Sequence, residues 1–578
     1  MDEHRARSLS GARWVMRESD DQAAIDLAKS LNMSMMSSRI LLCRGISDPA
    51  TARVFLGNDL AGLIDPFQMR DMERAVDTVE RALDSEAHIR IYGDYDVDGV
   101  CATALLVRAL QGVGGQIDWH IPHRLDEGYG LNEDAIRQAH AQGVNLLITV
   151  DCGSTAIAPI SLARELGMDV VVTDHHRPGT ELPDAPMLNP VRADCDYPFT
   201  DLAGVGVAFK LVSAIARRKN FPPDRELNFL DLVCLGTIAD VVPLIGENRL
   251  FVQHGLPRLA TSKKAGILAL MEAAGVGRNG MPGVRDVAFG LAPRINAAGR
   301  MEDACAAVNL LLTRDRAQAR ALAAELSNHN AARRAEEQRT LEEAEAMIAD
   351  ERDLSREKVL VLSSEGWHPG VIGIVASRLV ERHHRPTLLV AIADGIGKGS
   401  GRSISGFNLW EHLRECTDLL ERFGGHRYAA GFTIHPKNLD RFRLRMNELA
   451  DGSLTADDLV RSIDIDAEVA PRDLTIEEIG ELDRLAPFGV GNPTPVLVTQ
   501  GMTLVSMRRV GDGSHVSVRV RDDGRREQTG IWFGAGELGE RLVVGNKVDM
   551  CYRARVENWR GKLRVKLVVE DIAVWDND

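Results

Sequence analysis

Arg90-Ile91-Tyr92-Gly93-Asp94-Tyr95-Asp96-Val97-Asp98-Gly99 sets the end of an apolar run, carrying Ile89 and Ile91, against three aspartates on alternate positions. Read as a strand over residues 89–92, the segment leaves its carboxylates on the loop just past the strand's carboxyl end. That rim is where open α/β sheets bind ligands. Three acids this close repel one another, and a divalent cation is the simplest partner that keeps them ionised together.

Strands and helices alternate on both sides of this stretch. Residues 72–83 have a helical pattern, and the Ala/Leu-rich 101–110 suit a helix. Residues 146–150 form an apolar strand ending at Asp151-Cys152-Gly153-Ser154; after a helix near 157–166, the strand 170–172 ends at Asp174-His175-His176. The apolar run 229–238 reads as a further strand running into Asp240. Alternation of this kind implies crossover connections and a mainly parallel sheet. Ahead of it, residues 1–70 read as a peripheral lead-in of helices and loops. Residues 317–350, without Gly or Pro and rich in Ala, Glu, Arg and Leu, predict one long helix acting as a connector. A second α/β unit follows, with a strand at 359–362, a helix at 367–381, a strand at 387–391 and glycine loops at 397–401 and 424–425. From 462 onward, short alternating strands with glycine turns (515–521, 529–533, 547–556, 562–569) predict a small antiparallel barrel, the OB-fold foremost.

A chain of 578 residues is too long for one core. Its 44% apolar and 26% charged content is that of a globular protein, and no run approaches the roughly 18 apolar residues of a membrane span. The start, Met1-Asp2-Glu3-His4-Arg5, has no apolar signal core. Eight scattered cysteines form no CxxC pair, which fits reduced thiols in the cytoplasm and argues against a structural zinc site. The net charge of −15 argues against nucleic acid only if it is spread evenly, and it is not. From 496 to 578 there are 14 basic and 12 acidic residues, a locally basic tail on an acidic body.

Four apolar segments thus end in or beside acids: Asp94/Asp96/Asp98, Asp151, Asp174-His175-His176 and Asp240. A parallel sheet lines up its carboxyl ends, so these distant segments can meet in space. Aspartate after a strand is also a common turn former or helix N-cap, and His-His pairs occur idly. His383-His384, between Arg382 and Arg385 at the end of a helical pattern, reads as solvated surface. It is the coincidence of four acidic ends in one domain that carries weight. Several carboxylates with one or two imidazoles suit a pair of ions such as Mn²⁺, and a metal pair activates water and clamps a phosphate. The reaction class is phosphodiester or phosphoanhydride hydrolysis.

On these motifs the chain resembles the DHH phosphoesterase family. Pro293-Arg294-Ile295-Asn296-Ala297-Ala298-Gly299-Arg300 narrows the resemblance to RecJ-type single-strand-specific exonucleases. So do the DHHA1-like motifs Gly366-Trp367-His368-Pro369-Gly370-Val371-Ile372-Gly373, Gly399-Ser400-Gly401-Arg402-Ser403 and Gly424-Gly425-His426. The resemblance runs from about residue 70 to the end. It implies an α/β fold with a helical lead-in (1–70), a DHH catalytic domain with a mainly parallel sheet (71–310), a connecting helix (311–352), a smaller DHHA1 domain (353–455) and a C-terminal OB-fold barrel (462–578). It further implies Mn²⁺-preferring or Mg²⁺-dependent 5′→3′ degradation of single-stranded DNA to mononucleotides in recombination and repair, with a catalytic cleft between the DHH and DHHA1 domains. Single-strand-binding protein and a helicase are the implied protein partners. Carried over by position, Asp96, Asp98, Asp151, His175 and Asp240 are metal ligands, Asp151 bridging two ions, with Asp94 and His176 in or beside the shell. The small-molecule branch of the superfamily has His where Tyr92 stands, which makes Asp94 the candidate replacement ligand.

Groups able to hold the strand are more scattered. His123-Arg124 lies where a crossover returns to the sheet edge, and Arg294, Asn296 and Arg300 form a second basic cluster in a glycine-containing loop. Arginine can grip phosphate in a bidentate fork, although a surface ion pair explains such a residue equally well. Lys398, Ser400, Arg402 and Ser403 interrupt glycines, a composition that suits a backbone anion nest, and His426 follows paired glycines. In the tail, Arg508, Arg509, Arg519, Arg521, Arg553, Arg555, Arg560, Lys562 and Arg564 mix with Trp532, Tyr552 and Trp559. Such mixing holds single strands without sequence preference. Trp532 is expected in the barrel core and Trp559, in a turn, as a stacking surface. Two other readings compete: a phosphoesterase of short oligonucleotides or cyclic dinucleotides, and a non-catalytic DNA-binding scaffold. The long connector and basic barrel favour the exonuclease over the first, and the intact acidic set disfavours the second. A monomer is expected.

Overall fold

The aspartate-rich stretch leaves the second strand of a five-stranded, wholly parallel sheet ordered Gln116–His120, His88–Tyr92, Leu146–Val150, Asp169–Thr173, Met187–Leu188. Ile89, Ile91, Leu146, Ile148, Val150 and Val171 are all buried, as a sheet covered on both faces requires. Register keeps one end nearly flush: Tyr92 lies beside His120 and Thr149, and Val150 beside Thr173. The loops carrying residues 94–98, 151–154 and 174–176 therefore leave from a single edge.

In this computed structural model, residues 6–123, 127–128, 130–222, 224–278, 280–301, 304–524, 526–559 and 561–575 are described. The chain divides into two units. One comprises Ala50–Ala331 with Leu485–Pro493; the other comprises Met1–Pro49, Ala332–Arg484 and Thr494–Asp578. The first holds the parallel sheet. Its helix Val97–Gln111 begins where Asp96 Oδ1 accepts the N–H groups of Asp98 and Gly99 at 2.8 and 3.1 Å. This cap satisfies two of the four donors a helix start leaves open. The helix is buried nearly throughout, and truncating one of its core leucines, such as Leu105, to alanine would cost about 3 kcal/mol.

Two expectations change here. The run into Asp240 is not a strand but the helix Leu230–Ala239, with Asp240 as its C-cap. It is buried on all sides, so its sequence lacks the polar face that would betray a helical period. The PRINAAGR segment is likewise no loop; it lies in the helix Ala292–Met301.

In the second unit, a five-stranded sheet runs Leu420–Gly425, Ala429–Ile434, Ile396–Arg402, Thr387–Ala393, Leu360–Ser364, with only the last pair parallel. The helix packed on it is Ile372–His383, starting five residues later than its sequence suggests because Pro369 and Gly370 hold a turn. The C-terminal strands close on themselves: Leu497–Val510 pairs with His515–Arg521 and Lys547–Trp559, and Lys562–Trp575 joins Lys547–Trp559 to Glu527–Trp532. That closed circuit is the five-stranded OB barrel. Before the first helix the chain adds two short strands, Ala6–Ser8 on Lys562–Trp575 and Arg13–Met16 on Ser462–Ile465, so the lead-in is more than helices and loops. The long helix spans Arg316–Glu351, 36 residues or about 54 Å. No helix among the described residues is long and apolar enough to cross a membrane, and all eight cysteines are free thiols.

Candidate metal centre

Each carboxylate at the sheet edge is positioned by its own backbone device. Asp96 is held by the helix it caps. Asp98, the second residue of that helix and 1% exposed, accepts the N–H of Gly204 at 2.6 Å on Oδ2 and that of Val205 at 2.9 Å on Oδ1. These donors open the helix Gly204–Arg218, whose start has no side-chain cap, so Asp98 also meets the positive end of its dipole. Asp151 sits at φ 59°, a left-handed conformation that a non-glycine residue adopts at a cost, and Gly153 follows at φ 112°. Asp240 is followed by Val241 at φ 67°, an uncommon state for a β-branched residue. Strain on both sides of the site is what holding side chains in fixed directions requires.

The separate segments meet. His175 Nε2 lies 3.1 Å from Asp151 Oδ1, 3.7 Å from Asp240 Oδ2 and 4.0 Å from Asp98 Oδ2. His176 Nδ1 lies 3.9 Å from Asp151 Oδ1 and 2.8 Å from Asp174 Oδ1. Donor atoms fall into three groups spanning less than 4.8 Å: Asp94/Asp96/Asp151, Asp98/His175/Asp240 and Asp151/His175/His176. Asp151 and His175 are each common to two of them, and of the two only a carboxylate has the second oxygen with which to bridge a pair of ions. Asp94 takes its place in the first group, whereas Tyr92 is buried and donates its hydroxyl to the carbonyl of Gly130 at 3.0 Å.

Electrostatics tests whether a cation fits. Burial, then the charges of neighbouring aspartates, pushes the pKa of Asp98 and of Asp151 well up; burial does the same to Asp240, with His175 opposing. Asp174 goes the other way: burial works against its charge, but its hydrogen bonds with His176 and with the Ser154 N–H prevail. His175 Nε2 and Asp240 Oδ2 are buried without a hydrogen bond. Crowded anions, a buried imidazole nitrogen and an all-N/O donor set fit divalent ions of the Mn²⁺ or Mg²⁺ kind.

Several residues that serve this site were not legible as such. A Cβ on Gly204 would come within 2.6 Å of Asp151 Oδ1, and one on Gly236 within 2.8 Å of Asp98 Oδ1. Asn189, fully buried, bonds Ser154 Oγ and the His176 carbonyl at 2.8 Å each and so fixes the loop that carries the imidazoles. Asn296, expected in a strand-holding cluster, instead accepts the Val97 N–H on Oδ1 at 3.2 Å and braces the aspartate loop from the helix Ala292–Met301. Single glycines and asparagines give no periodic signal.

With the geometry in view, the likeness to known proteins is specific. Family models describing the DHH family N-terminal domain, the DHHA1 domain and the RecJ OB domain match residues 88–237, 356–451 and 465–571. The single-stranded-DNA-specific exonuclease RecJ of Bacillus subtilis (strain 168) is 40% identical over 569 residues, covering 98% of this chain and 71% of that protein. The chain belongs to the RecJ family. The Escherichia coli (strain K12) RecJ is 35% identical over 546 residues, covering 89% of this chain and 92% of its own length. A crystal structure of RecJ from Thermus thermophilus in complex with Mn²⁺ matches with a TM-score of 0.83 at 32% identity, over 97% of this chain and 79% of that one. A second structure of the Thermus protein carries Mg²⁺.

The residues expected to hold a strand are less uniform. His123 lies on the loop after Gln116–His120, its N–H bonded to Glu127 Oε1 at 2.8 Å; Arg124 lies outside the described residues, as do Arg560 and the side chain of Arg300. Arg294 commits its guanidinium to the Gly290 and Ala273 carbonyls and to Ser327 Oγ, which makes it a brace within its own domain. The anion nest at 397–401 does not exist, because that segment is the strand Ile396–Arg402 and its backbone serves the ladders on both sides. Its glycines face the core, where a Cβ on Gly399 would lie 2.2 Å from the Phe432 ring. Alternation leaves Lys398, Ser400 and Arg402 on the opposite face, where Ser400 and Arg402 lie near Gly373 of the helix Ile372–His383. Burial lowers the pKa of Arg402, and among the described residues it has no carboxylate ion-pair partner. Ser403 Oγ donates to the Phe407 carbonyl at 2.7 Å, and His426 is exposed on a hairpin.

On the barrel, Trp532 is in the core as expected, and Tyr552 is fully buried beside Thr499. Trp559 is 52% exposed with the Arg564 guanidinium 4.6 Å from its ring centroid. Arg509, Arg519, Arg553 and Arg564 are in ion pairs, whereas Arg508, Arg521 and Arg555 are exposed without one among the described residues.

Proposed function

We propose that the chain is a metal-dependent exonuclease that hydrolyses single-stranded DNA 5′→3′ to mononucleotides, in the cytoplasm, during recombination and repair. The observation that carries it is the meeting of Asp94, Asp96, Asp98, Asp151, His175 and Asp240, drawn from four stretches of chain, at one sheet edge. Asp94, Asp96 and Asp151 would hold one divalent ion and Asp98, His175 and Asp240 a second, with Asp151, 3.1 Å from His175 Nε2, placed to reach both. When bound, such a pair polarises the phosphate and lowers the pKa of an attacking water. Asp98, gripped by two backbone N–H groups, keeps its direction whether or not it is neutralised. Asp174 accepts from His176 Nδ1 and so leaves Nε2 facing the substrate, on the tautomer this hydrogen bond assigns. Arg402, with Ser400 beside it, supplies an uncompensated cation for a terminal phosphate, Lys398 extends that face, and Ser403 and His426 flank it. His123 and Arg124 serve the phosphate, and Asn296 holds the aspartate loop in register. Exposed Arg508, Arg521 and Arg555 follow the backbone while Trp559 stacks on a base, worth about 1–3 kcal/mol. Polarity, repair role, a monomeric state, and single-strand-binding protein and a helicase as partners rest on family membership.

A Mn²⁺-dependent time course on end-labelled single strands, duplexes and dinucleotides tests this reading. Release of labelled mononucleotide from the 5′ end of single strands, with duplex intact, supports it. Faster turnover of dinucleotides than of strands would instead favour the short-oligonucleotide phosphoesterase.

A further inference from the structure

The domain that carries the carboxylates also holds a cavity of about 450 Å³ well away from them. Arg108, Arg258, Lys263, Lys264 and Arg314 line it against a single carboxylate, Asp231, so five cations face one anion among the described residues. Asp231 is fully engaged: it is 2% exposed, accepts from Lys264 Nζ at 2.7 Å on each oxygen, and takes the Ser262 hydroxyl at 2.8 Å. Arg108 donates from Nε and Nη2 to the Leu311 and Leu312 carbonyls, which cancel no charge. Arg258, Lys263 and Arg314 have no ion pair among the described residues.

The cations feel one another. Burial lowers the pKa of Lys264; Asp231 offsets this, and Arg108 and Arg258 lower it further. Burial likewise lowers that of Arg108, with Arg314 adding to the effect. The helix Ala265–Ala274 begins at the cavity wall without a side-chain cap, adding backbone donors of the same sign. Distance separates this place from the metal centre. Arg108 lies ten residues along the helix that starts beside Asp98, about 15 Å away. Asp231 stands at the far end of the helix that finishes at Asp240, about 13 Å away.

We infer that this cavity is a second, non-catalytic anion site that takes a compact phosphate-bearing molecule, a nucleotide or polyphosphate. The volume is that of a small-ligand pocket rather than a lone ion. Its charges converge on one space, which suits a compact polyanion better than the evenly spaced phosphates of a strand.

Calorimetric titration of the full chain in EDTA with inorganic pyrophosphate, and separately with deoxyadenosine triphosphate, tests the inference. Wild type should bind at least one probe saturably. The triple variant Arg258→Gln/Lys263→Gln/Arg314→Gln should bind at least about tenfold more weakly. Lys263→Gln alone, at an exposed position that leaves the fold intact, should weaken it about threefold. Arg402→Gln, which addresses the phosphate residues proposed for the exonuclease, should leave the titration unchanged. Three results overturn the inference: no saturable binding of either probe, binding lost in Arg402→Gln but retained in the triple and single variants, or a triple variant that keeps both probes and loses only single-stranded DNA.

Discussion

The same dipeptide occurs twice in this chain, and the two copies do opposite things. His175-His176 follows the strand Asp169–Thr173 at the acidic sheet edge, with His175 Nε2 among Asp98, Asp151 and Asp240. His383-His384 ends the helix Ile372–His383, where His383 Nε2 pairs with Glu345 at 2.9 Å and His384 takes the left-handed cap at φ 48°. Burial works against the charge of both second histidines. For His176 the Asp174 hydrogen bond overturns that and raises the pKa, while for His384 Arg461 and Arg385 lower it further. An imidazole pair therefore carries no chemistry of its own; what faces it decides. At the sheet edge it faces uncompensated anions, and at the helix end it closes a turn.

The sharpest break in the comparison is at Asp151, a member of the first donor group that also lies 3.1 Å from His175 of the second. Asp151→Ala should lower hydrolysis of an end-labelled single strand by at least about a thousandfold while strand binding in chelator persists. Full activity in that variant would remove Asp151 from the site. Next, His175→Ala should cost about a hundredfold in Mn²⁺-dependent kcat, and His383→Ala less than about twofold. Equal losses would mean that the pairs are not distinguished by what they face. Asp174→Asn, which weakens the bonds to the His175 and His176 N–H groups and to the His176 ring, should weaken Mn²⁺ affinity about tenfold, measured by calorimetry. The smallest effect is on stability. Because the pKa values of Asp98 and Asp151 are raised on folding, the metal-free protein should lose stability as pH rises past the unfolded carboxylate value near 3.9. Mn²⁺ at about a hundredfold over its Kd should restore about 2.7 kcal/mol per site near pH 7.5, read as a higher Tm. A melting curve indifferent to Mn²⁺ would show that the acids are not crowded in the way described.

The parallel sheet and its acidic edge were legible because strand-terminating aspartates leave a local trace: an apolar run, an abrupt acid, a glycine. The residues that meet at the edge lay on that trace, and His175-His176 could be told from His383-His384 by the Asp174 ahead of it and the β-branched strand behind. Asp240 was found for a partly mistaken reason. Leu230–Ala239 is apolar all round, and over ten residues burial erases the difference between helix and strand. The Gly397, Gly399 and Gly401 series suggested a phosphate loop, yet those glycines make room for Val390, Phe432 and Leu388 across a sheet. Gly204 and Asn189 could not be found at all, because what they do depends on an aspartate or an imidazole loop from another part of the chain. Sequence shows where a segment ends more readily than what it meets.

Two ions held by one shared carboxylate make a claim that spectroscopy reads directly. Titrating the full chain with Mn²⁺ under electron paramagnetic resonance should give about two ions per chain with the exchange-coupled signal of a close pair, as two-metal sites roughly 4 Å apart require. In Asp151→Asn the coupling should vanish. A single uncoupled ion in the wild type, or coupling that survives the loss of Asp151, would contradict the account.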